Sequence, residues 1–115
     1  MDIDRNDAYT ITSLDDLAKI YAQPLPHIAT KETDHITEAG RAFIAASPFL
    51  VLATSNGTNI DCSPKGDAPG FVQLLDDRTL LIPDRPGNNR TDGMKNLLVN
   101  PKVGLIFMVP GSNET

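Results

Sequence analysis

A mostly β, antiparallel fold with flanking helices is predicted for this 115-residue chain by three features of its sequence. Helical spacing gives way to a compact, partly β-branched apolar run at Phe49-Leu50-Val51-Leu52-Ala53-Thr54. Asn56-Gly57 stands between two extended segments, the strongest short-range hairpin signal, because both residues of a type I′ turn take positive φ. Three further strand-like segments follow, with one helical stretch among them.

Taken in order, the chain opens on a polar stretch to residue 12. Ser13-Leu14-Asp15-Asp16 then offers an N-cap and early negative charge, and Leu14, Leu17, Ile20 and Tyr21 recur at helical spacing, predicting a helix over 14–22. Pro24 and Pro26 end it, leaving 23–33 as a linker with little regular structure. A second helix is expected over 34–46, with Thr37 or Asp34 as cap and Ser47-Pro48 as its stop. The hairpin returns over 59–64, with Pro64 breaking the ladder at its end. A pair at 70–75 and 79–83, joined by Asp76-Asp77-Arg78, completes an antiparallel meander. The loop 84–90 leads into a helix over 91–99 with Met94, Leu97 and Leu98 inward, and 102–109 reads as another buried strand. Pro110-Gly111-Ser112-Asn113 is a turn that should launch one more strand, so the pattern predicts a truncated chain, or a sheet completed by a partner. These signals divide the chain into an N-terminal helix and linker, 1–33, and a β domain, 34–115.

Composition removes several function classes. Ten basic residues against fifteen acidic ones give a net charge of -5, which disfavours non-specific nucleic-acid binding. Cys62 is the single cysteine, expected as a small buried hydrophobe, and no His/Cys grouping suggests a metal; His27 and His35 read as solvated surface residues. The start of the chain has no signal-peptide pattern, and the apolar run 49–53, which no other exceeds, is far below the ~20 residues of a membrane helix, so a cytoplasmic protein without membrane contact is expected. The usual nucleophile-elbow, phosphate-loop, dinucleotide and zinc-protease motifs are absent.

Two constellations remain. Between a strand and a helix lies Pro83-Asp84-Arg85-Pro86-Gly87-Asn88-Asn89-Arg90-Thr91-Asp92. Two guanidiniums, two amides and a hydroxyl there crowd a helix N-terminus, where backbone N–H groups and the dipole favour an anion such as a phosphate monoester. The same residues also read as a plain loop, with an Asn capping the helix and the arginines paired to Asp84 and Asp92. The second constellation, Ser63-Pro64-Lys65-Gly66-Asp67, reads either as a ligand-facing strand end or as a solvated turn.

With Ala68-Pro69-Gly70-Phe71, Leu81-Ile82-Pro83-Asp84-Arg85-Pro86-Gly87-Asn88-Asn89-Arg90 and Asn100-Pro101-Lys102-Val103-Gly104-Leu105-Ile106-Phe107 in this order, the sequence resembles the pyridoxamine 5'-phosphate oxidase-like flavoproteins of the FMN-binding split-barrel fold. The resemblance runs from Phe49 to the last residue and is strongest to a bacterial branch of FMN-dependent oxidoreductases. It implies a Greek-key-like antiparallel barrel, incomplete in this chain, and a homodimer enclosing two FMN molecules. It further implies that Ser63, Pro64, Lys65 and Gly66 line the flavin, and that Arg85, Asn88, Asn89 and Arg90, entered through Pro83 and Asp84, hold its phosphate. The chemistry implied is flavin redox on a small-molecule substrate with NAD(P)H as a candidate electron donor, and no catalytic proton donor is assigned. A non-catalytic flavin or deazaflavin module, and an inactive N-terminal fragment, are the alternatives.

Overall fold

The computed structural model describes residues 9–29, 31–87 and 90–115. Contacts divide the chain into two units, Met1–Thr33 and Asp34–Thr115.

In the first unit, α1 (Leu14–Ile20) begins where Ser13 accepts the Asp16 N–H at 3.0 Å. Asp16 in turn accepts the Thr12 N–H and hydroxyl, and these bonds, the backbone one foremost, hold its carboxyl below the usual range. The helix stops at Ile20, short of the expected 22, because Tyr21 is already extended, ahead of either proline. Pro26–Ala29 forms one helical turn, α2, inside the segment expected to lack regular structure; a proline costs no hydrogen bond at the first position of a helix.

The second unit is built around a corner. Helix α3 (Glu38–Ala46) starts from Thr37, whose hydroxyl accepts the Gly40 N–H. It does not extend back to Asp34, since the preceding residues are engaged elsewhere. Asp34 pairs with Arg78, and the Ile36 N–H donates to Asp77. At the other end Ser47, 1% exposed, turns the chain into β1 (Phe49–Ser55). The Ser47 hydroxyl lies 2.7 Å from the carbonyls of both Phe49 and Met108, and its own carbonyl accepts the Gly70 N–H. Gly70 sits at φ +80, and a Cβ there would lie 3.1 Å from the Ala45 carbonyl oxygen, so only glycine fits this approach.

Strand β1 is the centre of a three-stranded antiparallel sheet, flanked by β2 (Ile60–Gly66) and β5 (Val103–Met108). Strands β3 (Gln73–Asp76) and β4 (Thr79–Leu81) form a separate two-stranded sheet, so the expected continuous meander does not form. The chain leaving β2 is drawn back to the corner instead: Asp67 N–H donates to Pro48 and Gly70 N–H to Ser47. Leu50, fully buried, packs with Ile44 and Val72, and Leu52, Leu74, Leu80, Leu105 and Phe107 close around them. Among the described residues no barrel closes; antiparallel sheets with flanking helices make up the unit.

Several finer expectations are corrected. The hairpin is not a two-residue turn: Ser55 pairs with Ile60, Gly57 alone takes positive φ, and Asn56 Oδ1 accepts the N–H groups of Thr58 and Asn59. Pro64 does not end β2 but pairs with Val51 within it. Counting alternate pairs from the Asn56 N–H to Asn59 bond puts Pro64 at a non-hydrogen-bonded position. Its nitrogen therefore faces away from β1 on an edge strand, and no ladder bond is lost.

Cys62 is exposed rather than buried, because Ile60, Cys62, Pro64 and Gly66 share the outer alternation of β2. Helix α4 (Asp92–Val99) turns Asn96 inward, 6% exposed and donating to Thr54 Oγ1 at 3.1 Å, while Met94 and Leu98 face out. Of the predicted inward set Leu97 is half-buried while Met94 and Leu98 are exposed, because α4 lays Gly93 and Asn96 over Thr54 and Asp61. Strand β5 is half exposed rather than buried, since among the described residues only β1 pairs with it. No helix among the described residues is long and apolar enough to cross a membrane.

Two outcomes follow from these contacts. Ser47→Ala removes the buried hydroxyl that bridges the half-buried Phe49 and Met108 carbonyls and lowers unfolding stability by about 0.5–1.5 kcal/mol, read from the denaturant midpoint. Asp76 accepts the Arg78 N–H and the Thr79 hydroxyl, the former foremost, which lowers its pKa below 3.8. A carboxyl lowered in the folded state stabilises the hairpin above the ordinary carboxylate range, and that contribution disappears as pH falls through the lowered pKa. An NMR pH titration should show the Arg78 amide shifting only below the ordinary Asp range, and Asp76→Asn should abolish that step.

Candidate functional site

On β2, Asp61, Ser63 and Lys65 alternate onto the half-buried face, with Ser63 opposite Leu52 and Lys65 opposite Leu50. Pro64 and Gly66 lie on the outer side. A Cβ at Gly66 would come within 3.3 Å of the Pro48 carbonyl oxygen, so the end of β2 lies close against the Ser47-Pro48 corner. Asp67 comes next and is held three ways. Its N–H donates to Pro48 at 3.1 Å, its Oδ1 accepts the Ala68 N–H at 2.8 Å, and its Oδ2 meets Arg85 Nη2 at 2.9 Å.

That ion pair joins the two segments singled out in the sequence. Arg85 lies in the stretch after β4, following half-buried Ile82 and Pro83 and exposed Asp84. Its partner is Asp67 and not Asp84, and the N-cap of α4 is Thr91 and not an Asn, which corrects two parts of the plain-loop expectation. The third part holds, with Arg90 paired to Asp92 at 3.0 Å. Asn88 and Asn89 lie outside the described residues.

Thr91, the N-cap of α4, is in the left-handed region at φ 56, its hydroxyl donates to the Arg90 carbonyl, and it gives the helix no side-chain cap. A β-branched residue held there stores about 1–3 kcal/mol of strain, and such positions concentrate at ligand clamps. Neither this conformation nor the Asp67 partnership was signalled in the sequence. Threonine does not advertise positive φ, and Asp67 and Arg85 lie in different motifs.

The donors therefore come from two directions. Arg85 is braced from the end of β2 and Arg90 from the first turn of α4. Lys65, Arg85 and Arg90 are matched by Asp67, Asp84 and Asp92, so these residues together carry no net formal charge. A shallow depression elsewhere, between Phe49, Met108 and the turn at 110–113, is lined by none of these residues. No group of three metal-ligating side chains occurs among the described residues.

A small β unit of antiparallel sheets with flanking helices, and a basic segment between strand and helix, define the class: an incomplete split barrel. The family model described as pyridoxamine 5'-phosphate oxidase matches residues 36–113, and the chain belongs to that oxidase-like family, whose members typically bind flavin. No match was found among curated proteins or among solved structures.

Both partners of the Arg85–Asp67 pair are substantially exposed, Arg85 at 62%. A double-mutant cycle with Asp67→Ala and Arg85→Ala in thermal unfolding should give a coupling of ~1 kcal/mol or less.

Proposed function

We propose that this chain binds FMN and serves as an FMN-dependent oxidoreductase acting on a small molecule, as a cytoplasmic homodimer with NAD(P)H as electron source. The observation that supports this best is the Arg85–Asp67 contact, which brings the Lys65 strand end and the arginine segment to one place. The donor set fits a phosphate monoester. It consists of two guanidiniums able to make paired hydrogen bonds and a helix start that its own N-cap side chain leaves open.

In this reading Arg85 and Arg90, with Asn88 and Asn89, grip the phosphate, and Pro83 and Asp84 set the approach of that segment. Ser63, Pro64, Lys65 and Gly66 line the flavin or its ribityl chain along β2, Ser63 and Lys65 from the half-buried face and Pro64 and Gly66 from the outer side. When bound, the flavin supplies the electron-transfer chemistry. The protein's contribution is orientation and charge: Lys65 presents an ammonium donor to negative charge on the ring, an interaction of ~1–3 kcal/mol for a charged hydrogen bond.

The test is a fluorescence titration of purified protein with FMN. Arg90→Ala should weaken binding by about 1.5–3 kcal/mol, the range for a hydrogen bond to a charged group. Affinity equal to that of the unaltered protein removes Arg90 from the site. Bleaching of the bound flavin by NAD(P)H distinguishes an oxidoreductase from a passive binder.

A further inference from the structure

Resting on the flavin reading above, we propose that Asp67 is the positioning residue for Arg85: its carboxylate aims the guanidinium at the phosphate of the bound nucleotide. Asp67 is itself fixed, by its N–H to Pro48 at 3.1 Å and by its Oδ1 to the Ala68 N–H at 2.8 Å. Its remaining oxygen meets Arg85 Nη2 at 2.9 Å. Arg85, by contrast, lies in a segment without regular secondary structure, followed by Pro86 and Gly87.

A long side chain in such a segment loses rotamer freedom when it grips a ligand. Tying one nitrogen beforehand removes part of that loss. A guanidinium carries five N–H donors in a planar fork, so a single contact to Asp67 leaves donors for a two-point grip on phosphate. The carboxylate also repels a phosphate, and solvent at this exposed position weakens both that repulsion and the ion pair, but the pair acts at contact, 2.9 Å, where screening is least.

The experiment compares wild type, Asp67→Ala and Asp67→Asn in titrations with FMN and with riboflavin, which lacks the phosphate. Tryptic cleavage after Arg90 is followed in parallel on ligand-free protein. Asp67→Ala should raise the FMN Kd about tenfold while leaving the riboflavin Kd unchanged and lowering the thermal midpoint by only a few degrees. Asp67→Asn, which keeps an oxygen acceptor, should recover most of the FMN affinity. Cleavage should be faster in ligand-free Asp67→Ala.

FMN binding as tight or tighter in Asp67→Ala makes the carboxylate a competitor of the phosphate and overturns the proposal. A parallel loss of riboflavin affinity reduces Asp67 to a structural role and does the same. Wild type that fails to bind FMN removes the flavin reading, and the role of Asp67 with it. Equal cleavage rates rule out the tether itself, whatever the flavin arm gives.

Discussion

The turn at Ser47-Pro48 is the constraint on which the second unit depends. One buried hydroxyl reaches carbonyls on β1 and β5, the Ser47 carbonyl takes the Gly70 N–H, and the Pro48 carbonyl takes the Asp67 N–H. Two segments distant in sequence, β5 and residues 67–70, thus converge on the start of β1 at these two residues. Hydrophobic burial around Leu50 supplies the driving force, but it is non-directional. The corner's hydrogen bonds decide where the chain goes after β2, and hence where Asp67 stands.

From that placement the candidate site inherits its geometry. Asp67 is anchored to the core through backbone, and Arg85 is anchored to Asp67 through side chain. The pair adds little to stability at its exposure. The two bonds of Asp67 thus differ in kind: its N–H ties the backbone to the corner, and its Oδ2 meets Arg85.

Much of the secondary structure could be read from local pattern. The Thr37 cap, the apolar run of β1, the position of the hairpin and the β5 segment are all set by residues within a few positions of each other. What local pattern missed involves partners far along the chain. Asn96 points inward because Thr54 lies beneath it, against the aliphatic spacing of its own helix. The expected meander fails because 67–70 bonds to the corner rather than pairing onward as a strand. At the site, the residue types that favour an anion were legible in the sequence. The brace between Asp67 and Arg85 was not, since nothing in either motif names the other.

Pro64 gives the three-stranded sheet a polarity. With its ring nitrogen facing away from β1, the free margin of β2 is missing a donor near its middle, and a strand laid alongside would meet a gap there. The free margin of β5, Val103–Met108, contains no proline and no charged side chain. Lateral growth of this sheet, by whatever strand supplies it, is thereby steered to one flank.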